Sequence, residues 1–166
     1  MRYLYCFKPS EQGLNLREKV EYDIFKPSIS AGFVIPDEAC EIKTILVRIV
    51  FYLTTGSGFK IFYVKRNNCI AHTSYVVPKC SKFPFLREND YEIGPCFTNP
   101  NFRGQGIYPR ILSEICHTEG NEKTNFYMIV SDTNKASISG IEKAGFIKCG
   151  EVRCSRFFKK YKVVNK

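Results

Sequence analysis

The chain has 166 residues, 44% of them hydrophobic, which suits one globular domain over residues 1–166 with a buried core and excludes a disordered segment. Its formal net charge is +9, with a basic cluster at Arg153, Arg156, Lys159, Lys160, Lys162 and Lys166, so anions are the partners it favours. No run is apolar and long enough to span a membrane and the first residues show no signal-peptide pattern, so the expected compartment is the cytoplasm, with no membrane partner.

In chain order, Arg2 to Lys8 alternates as a first strand, and Ser10 to Tyr22 is polar and open to a helix. Phe25 to Cys40 is broken by Pro and Gly. Cys40 to Leu53 spaces Ile42, Ile45, Leu46, Ile49, Val50 and Leu53 as one face of an amphipathic helix, which Thr54 to Gly58 ends. Phe59 to Lys65 and Cys69 to Val77 form two strands around an Asn67-Asn68 hairpin turn. Pro78 to Asn89 is a loop carrying Lys79, Lys82 and Arg87. Tyr91 to Thr98 is the next strand, and Gly94-Pro95 inside it demands a bulge, because proline cannot donate to a ladder.

Ile107 to His117 is a helix with Pro109 in its first turn, where a missing N–H is tolerated. Phe126 to Val130 reads as a central strand. Ser131 to Asn134 supplies cap chemistry for a helix to Ala144, closed by Gly145. Phe146 to Val152 and Arg156 to Val164 are two closing strands. The predicted class is α/β, with a mixed, mostly antiparallel central sheet of about six or seven strands flanked by helices. Eight cysteines form no Cys-x-x-Cys pair and read as small buried hydrophobes, and no metal site is expected.

Arg103-Gly104-Gln105-Gly106 lies between a strand and a helix start. Glycines there leave backbone N–H groups exposed at the positive end of the helix dipole, a ready site for phosphate. The loop is neither a dinucleotide fingerprint nor a Walker loop, and two glycines can also serve a tight turn alone. A second motif follows: Asn134-Lys135-Ala136-Ser137, leading to Glu142-Lys143-Ala144-Gly145-Phe146. Together they resemble the GNAT superfamily of acyl-CoA-dependent N-acetyltransferases, whose phosphate motif is Gln/Arg-x-x-Gly-x-Gly/Ala and whose second motif is an Asn-led helix ending in Lys-x-Gly-Phe. The resemblance runs from Tyr91 to Val152.

The resemblance implies acetyl-CoA as the acyl donor. The amides of Gln105, Gly106 and Ile107 would hold its pyrophosphate, Gly104 would admit a close backbone approach, and Arg103 would add charge. Cys96, Phe97 and Thr98 would flank the pantetheine arm beside the bulge. Asn134 would bond near that arm or simply cap its helix. Tyr108 stands where the family has Gly or Ala, and the family's general-acid tyrosine falls at Ile141.

Direct attack of an amine on the thioester needs a base, and an oxyanion donor is expected on the strand backbone near Cys96 or Phe97. Two residues are candidate bases. Glu92 shares a face with Gly94, Cys96 and Thr98 by strict alternation; an exposed edge charge is the competing reading. His72 lies in an apolar strand with an ordinary pKa suited to neutral catalysis; a packed core histidine is the competing reading.

The acceptor expected is a small amine, with an amino sugar or sugar nucleotide suggested by the basic loop. A protein or peptide amine, a silent acyl-CoA-binding module and a nucleic-acid-binding protein are the rivals. The last rests on charge and on Phe157, Phe158 and Tyr161 among basic residues. Arg153 to Val164 could serve a homodimer.

Overall fold

A computed structural model describes residues 1–9, 19–156 and 160–165; most of the segment Ser10 to Tyr22, read as open to a helix, and the aromatic pair Phe157 and Phe158 lie outside them, and the segment's described residues 19–22 form no helix. The strands are β1 (Arg2–Phe7), β2 (Asp23–Phe25), β3 (Lys60–Arg66), β4 (Cys69–Pro78), β5 (Tyr91–Thr98), β6 (Phe126–Ser131), β7 (Ile147–Cys154) and β8 (Tyr161–Asn165). The helices are α1 (Ile42–Thr55), α2 (Ile107–Glu119) and α3 (Lys135–Lys143). One eight-stranded sheet has the order β2-β3-β4-β5-β6-β1-β7-β8, with every pair antiparallel except β5–β6. The eighth strand, beyond the predicted number, is the short β2. Its residues Asp23 to Phe25 pair with Tyr63 to Ile61 at the sheet edge.

Side-chain alternation divides the core between the two faces of the sheet. Phe7, Phe62, Val76, Ile93 and Met128 meet the apolar stripe Ile107, Ile111, Leu112 and Ile115 of α2, with Ile141 of α3. On the other face Phe59, Ile61, Tyr75 and Val77 meet Phe51 of α1 and Phe83 of the β4–β5 loop. The turn at Asn67 and Asn68 has both residues at positive φ (50° and 57°), the primed geometry that joins twisted antiparallel strands.

Helix α1 forms where its periodicity predicts, but with the opposite phase. Ile42, Leu46, Val50 and Leu53 are exposed, and the buried pair is Arg48 and Phe51. The cause is Arg48. Its guanidinium donates to both carboxylate oxygens of Glu38 (2.7 and 2.8 Å), to the Phe33 carbonyl (2.9 Å) and to the Tyr75 hydroxyl (2.7 Å). A buried charge satisfied this fully stays inside, and losing one partner would leave it uncompensated. Phe51, three residues on, follows it onto the same side and packs against Phe59 and Tyr75.

Candidate functional site

The site is built on the parallel pair β5–β6. These strands hydrogen-bond only at Tyr91 and Glu92, opposite Phe126 and Tyr127, and then splay apart. Asp90 pins the closed end. It is buried, and it accepts from the Asn125 amide (3.1 Å), the Asn125 side chain (2.8 Å) and the Arg87 amide (2.9 Å). The open end is a gap through the sheet: one cavity opens on the α2 and α3 side, and a second runs through the gap to the α1 side.

The first cavity, about 570 Å³, lies at the start of α2 and α3. His72, Cys96, Phe97, Thr98, Arg103, Gly104, Gly106, Ile107 and Asn134 all line it, while Gln105 is exposed beside them. Gly104 and Gly106 have φ of 77° and 71°, a left-handed geometry that costs other residues roughly 1–2 kcal/mol. Among the described residues nothing accepts from the amides of Gln105, Gly106 and Ile107. They are the orphan donors of a helix start, aimed at an open cavity. Arg103 donates through Nε to the Thr98 carbonyl (3.1 Å), which holds its guanidinium over the loop.

Lys143, also on the cavity wall, and Arg110, whose guanidinium carbon lies 3.6 Å from the Cβ position of Gly106, are cations the motif alone did not reveal. Asn134 caps α3: its side chain accepts from the Ser137 amide at 3.1 Å. These groups can hold a phosphate-bearing ligand.

The bulge at Gly94-Pro95 overturns one expectation. On β5–β4, Cys96 pairs with Ser74 and Glu92 with Val77, and Ser74 and Val77 lie on opposite faces of β4. Glu92 therefore does not share a face with Cys96 and Thr98. The extra residue of the bulge breaks the period of two, and Glu92 turns to the α1 side. The two candidate bases thus sit on opposite faces.

His72 is on the α2 side with both ring nitrogens engaged, at 2.7 Å from Thr98 Oγ1 and at 2.7 Å from Ser74 Oγ. Burial lowers its pKa to about 4, so the ring is neutral at pH 7. Ser74 in turn donates to Cys96 Sγ (3.2 Å), and burial pushes the Cys96 thiol up to about 12.

Glu92 faces the second cavity, about 440 Å³, with Phe51, Lys82, Phe83, Ser131 and Tyr161. The carboxyl is buried, and burial raises its pKa from 4.5 to about 8, against the opposing pull of Lys82. Its Oε2 has no hydrogen-bond partner. The carboxyl folds back over Gly94, where a Cβ would come within 2.8 Å of Oε1, so only glycine leaves room for this pose.

Tyr108 stands between the cavities and lines both. Its ring enters the protein rather than solvent: it lies 5.6 Å from the His72 ring and against Gly140, and its hydroxyl is 3.3 Å from Ser137 Oγ. Ile141 is buried in the core, so no phenol comes from that position.

The Asn99 amide donates to Ala71 of β4, so by alternation Phe97 N–H points the same way and Cys96 N–H points into the gap. Of the amides of Cys96 and Phe97, that of Cys96 is the one turned towards the gap.

No family model and no curated protein matches the sequence. Solved structures do. An acetyltransferase from the GNAT family from Colwellia psychrerythraea superposes with a TM-score of 0.65 at 13% identity, covering 89% of this chain and 52% of that one. A GCN5-related N-acetyltransferase from Sphaerobacter thermophilus gives 0.58 at 10% identity, covering 89% and 48%. A putative acetyltransferase from the GNAT family from Novosphingobium aromaticivorans gives 0.54 at 13%, covering 90% and 61%. This chain spans about half to three fifths of the length of those proteins. With its mixed sheet, splayed β5–β6 pair and glycine turn at the start of α2, the chain has the GNAT acetyltransferase fold.

Proposed function

We propose that this chain is an N-acetyltransferase that uses acetyl-CoA as donor and a small amine as acceptor. The observation that carries the reading is the gap between β5 and β6, with unpaired loop amides on one side and an orphaned, buried carboxylate oxygen on the other. Bound acetyl-CoA supplies a thioester carbonyl open to attack by an amine.

The Gln105, Gly106 and Ile107 amides, with Arg103, would hold the pyrophosphate, and the β5 edge at Cys96 and Thr98 would flank the arm. Glu92 would be the base: its buried carboxyl, with a pKa near 8, accepts a proton in its ionised fraction, which grows as pH rises towards 8, whereas both ring nitrogens of His72 are already hydrogen-bonded. Cys96 N–H is the oxyanion donor. The Tyr108 hydroxyl, at the junction of the cavities, is placed to hydrogen-bond the departing sulfur.

Of the three loop cations that suggested an anionic acceptor, Lys79 is paired with Glu88 (2.6 Å) and Arg87 lines a separate cavity. Only Lys82 faces the acceptor side.

The test is thermal unfolding with acetyl-CoA, free CoA and ATP, followed by thiol release with an amine panel. A ligand at 100 times its dissociation constant adds about 2.7 kcal/mol. Stabilisation by both coenzyme forms but not by ATP, with amine-dependent thiol release, is the expected result. Stabilisation without release from any amine would make the chain a coenzyme-binding module, and no stabilisation would refute the reading.

A further inference from the structure

The cavity on the α1 side contains a carboxyl and an ammonium that the fold leaves without polar partners. One is the Glu92 carboxyl, with its Oε2 orphaned inside the protein. The other is the Lys82 ammonium. Nζ lies 4.8 Å from the ring centroid of Phe51, 5.1 Å from that of Phe83 and 6.0 Å from that of Tyr161. Rings at these distances hold a cation by its charge and offer no acceptor for its three N–H donors.

Among the described residues no carboxylate, carbonyl or hydroxyl accepts from Lys82, and it makes no ion pair with Glu92 across the cavity they share. Its place is nevertheless fixed. The Tyr161 amide donates to the Lys82 carbonyl (2.9 Å), and the Phe83 and Tyr161 rings stack at 5.7 Å.

An orphaned carboxyl and an unpaired ammonium lining one cavity complement a molecule that carries both an amine and an acid group. We propose that the acceptor is a small amine that also bears an acid group, a carboxylate or a phosphate, with its amine at Glu92 and its acid at Lys82. This rests on the acetyltransferase reading for the chemistry at the amine, and on the cavity alone for the acid. A plain amine would leave Lys82 without an acceptor, and a plain acid would leave Glu92 Oε2 as it is. An acid-bearing amine gives both groups a partner.

Matched pairs test this: β-alanine against propylamine, and phosphoethanolamine against ethanolamine, as acceptors for the full chain with acetyl-CoA. The expected result is a kcat/KM about tenfold to a hundredfold higher for the acid-bearing member, the range of one charged hydrogen bond. The pair with the larger ratio tells carboxylate from phosphate.

Lys82→Met keeps a flexible apolar stem among the three rings and removes the charge. It should bring the ratio close to one, while Lys82→Arg retains the preference. A wild-type ratio near one, or a ratio that survives in Lys82→Met, overturns the proposal while leaving the acetyltransferase reading intact. If no amine releases thiol, it is that reading which fails. The cavity is then read by calorimetric binding of β-alanine and phosphoethanolamine in the presence of free CoA: Lys82-dependent binding upholds the acid subsite, and its absence overturns it.

Discussion

Replacing Glu92 by Gln should make stability and turnover move in opposite directions as pH rises. In the fold, burial holds this carboxyl at about 8, against 4.5 ordinarily. Between those values the unfolded chain has released the proton and the native state keeps it, so the native state binds more protons and stability falls as pH rises. The contribution is complete below about 4.5 and gone above about 8. At about 1.4 kcal/mol per pH unit, one carboxyl titrating alone accounts for roughly 5 kcal/mol across the window.

Gln has no such titration. The difference in unfolding free energy, variant minus wild type, should therefore grow by several kcal/mol from pH 5 to pH 8 and then level. Urea unfolding of both proteins at half-unit steps measures it, and groups common to both cancel. His72 is one of these. Its lowered pKa acts with the opposite sign, removing stability as pH drops from 6.5 towards 4 in both proteins. In parallel, wild-type kcat/KM should rise with pH to an inflection near 8. The variant should be pH-independent there and lower by about a hundredfold or more. A difference in stability flat within about 0.5 kcal/mol from pH 5 to 8, or a Gln variant with wild-type turnover, refutes Glu92 as a buried base.

Gly140→Ala in α3 should destabilise, although alanine in a helix interior is ordinarily favoured by about 1 kcal/mol, because its Cβ would meet the Tyr108 ring at 2.5 Å. In a Tyr108→Ala background the same change should stabilise, and a double-mutant cycle by urea unfolding reads the reversal. Phe51→Ala should cost about 3–5 kcal/mol in the same assay, whereas Leu53→Lys, on the exposed stripe of α1, should stay within about 0.5 kcal/mol. Gly106→Ala, which must hold φ near 71°, should cost roughly 1–2 kcal/mol and reduce the thermal shift given by free CoA.

Features that depend on a few neighbouring residues were legible in the sequence. The Asn67-Asn68 turn, the bulge demanded by Gly94-Pro95, the glycine loop and the Asn134 cap all follow from local backbone chemistry. What the sequence hid depends on tertiary partners. Counting apolar residues put the stripe of α1 inside, but no periodicity registers that Arg48 finds Glu38 and Tyr75 and turns the helix over. Gly94-Pro95 announces the bulge, but strict alternation does not hold across it, so Glu92 occupies the face opposite to the one a period of two assigns it. Tyr108 was noted as a departure, while its inward pose depends on Gly140, thirty-two residues on. The aromatic cage draws Phe51, Phe83 and Tyr161 from α1, a loop and the last strand, a juxtaposition no spacing announces.

On the proposed reading, the division of the site by the sheet favours Glu92 over His72 as the base. A phosphate-bearing ligand on the α2 side meets loop amides and Arg103, and there a neutral imidazole held by two hydroxyls shapes the wall. An amine arriving from the α1 side meets a carboxyl with a free oxygen. The reactants can meet only where β5 and β6 have parted, beyond the last paired residue, and that residue is Glu92 itself. Asp90 closes the strand pair just before it, so the position of Glu92 and the opening of the gap depend on the same hydrogen bonds. In the proposed transfer a proton taken by Glu92 would leave on the acceptor's side, while the sulfur would depart past Tyr108, which lines both cavities. The two proton movements of the proposed transfer would thereby follow separate paths, neither of them needing a tyrosine at Ile141.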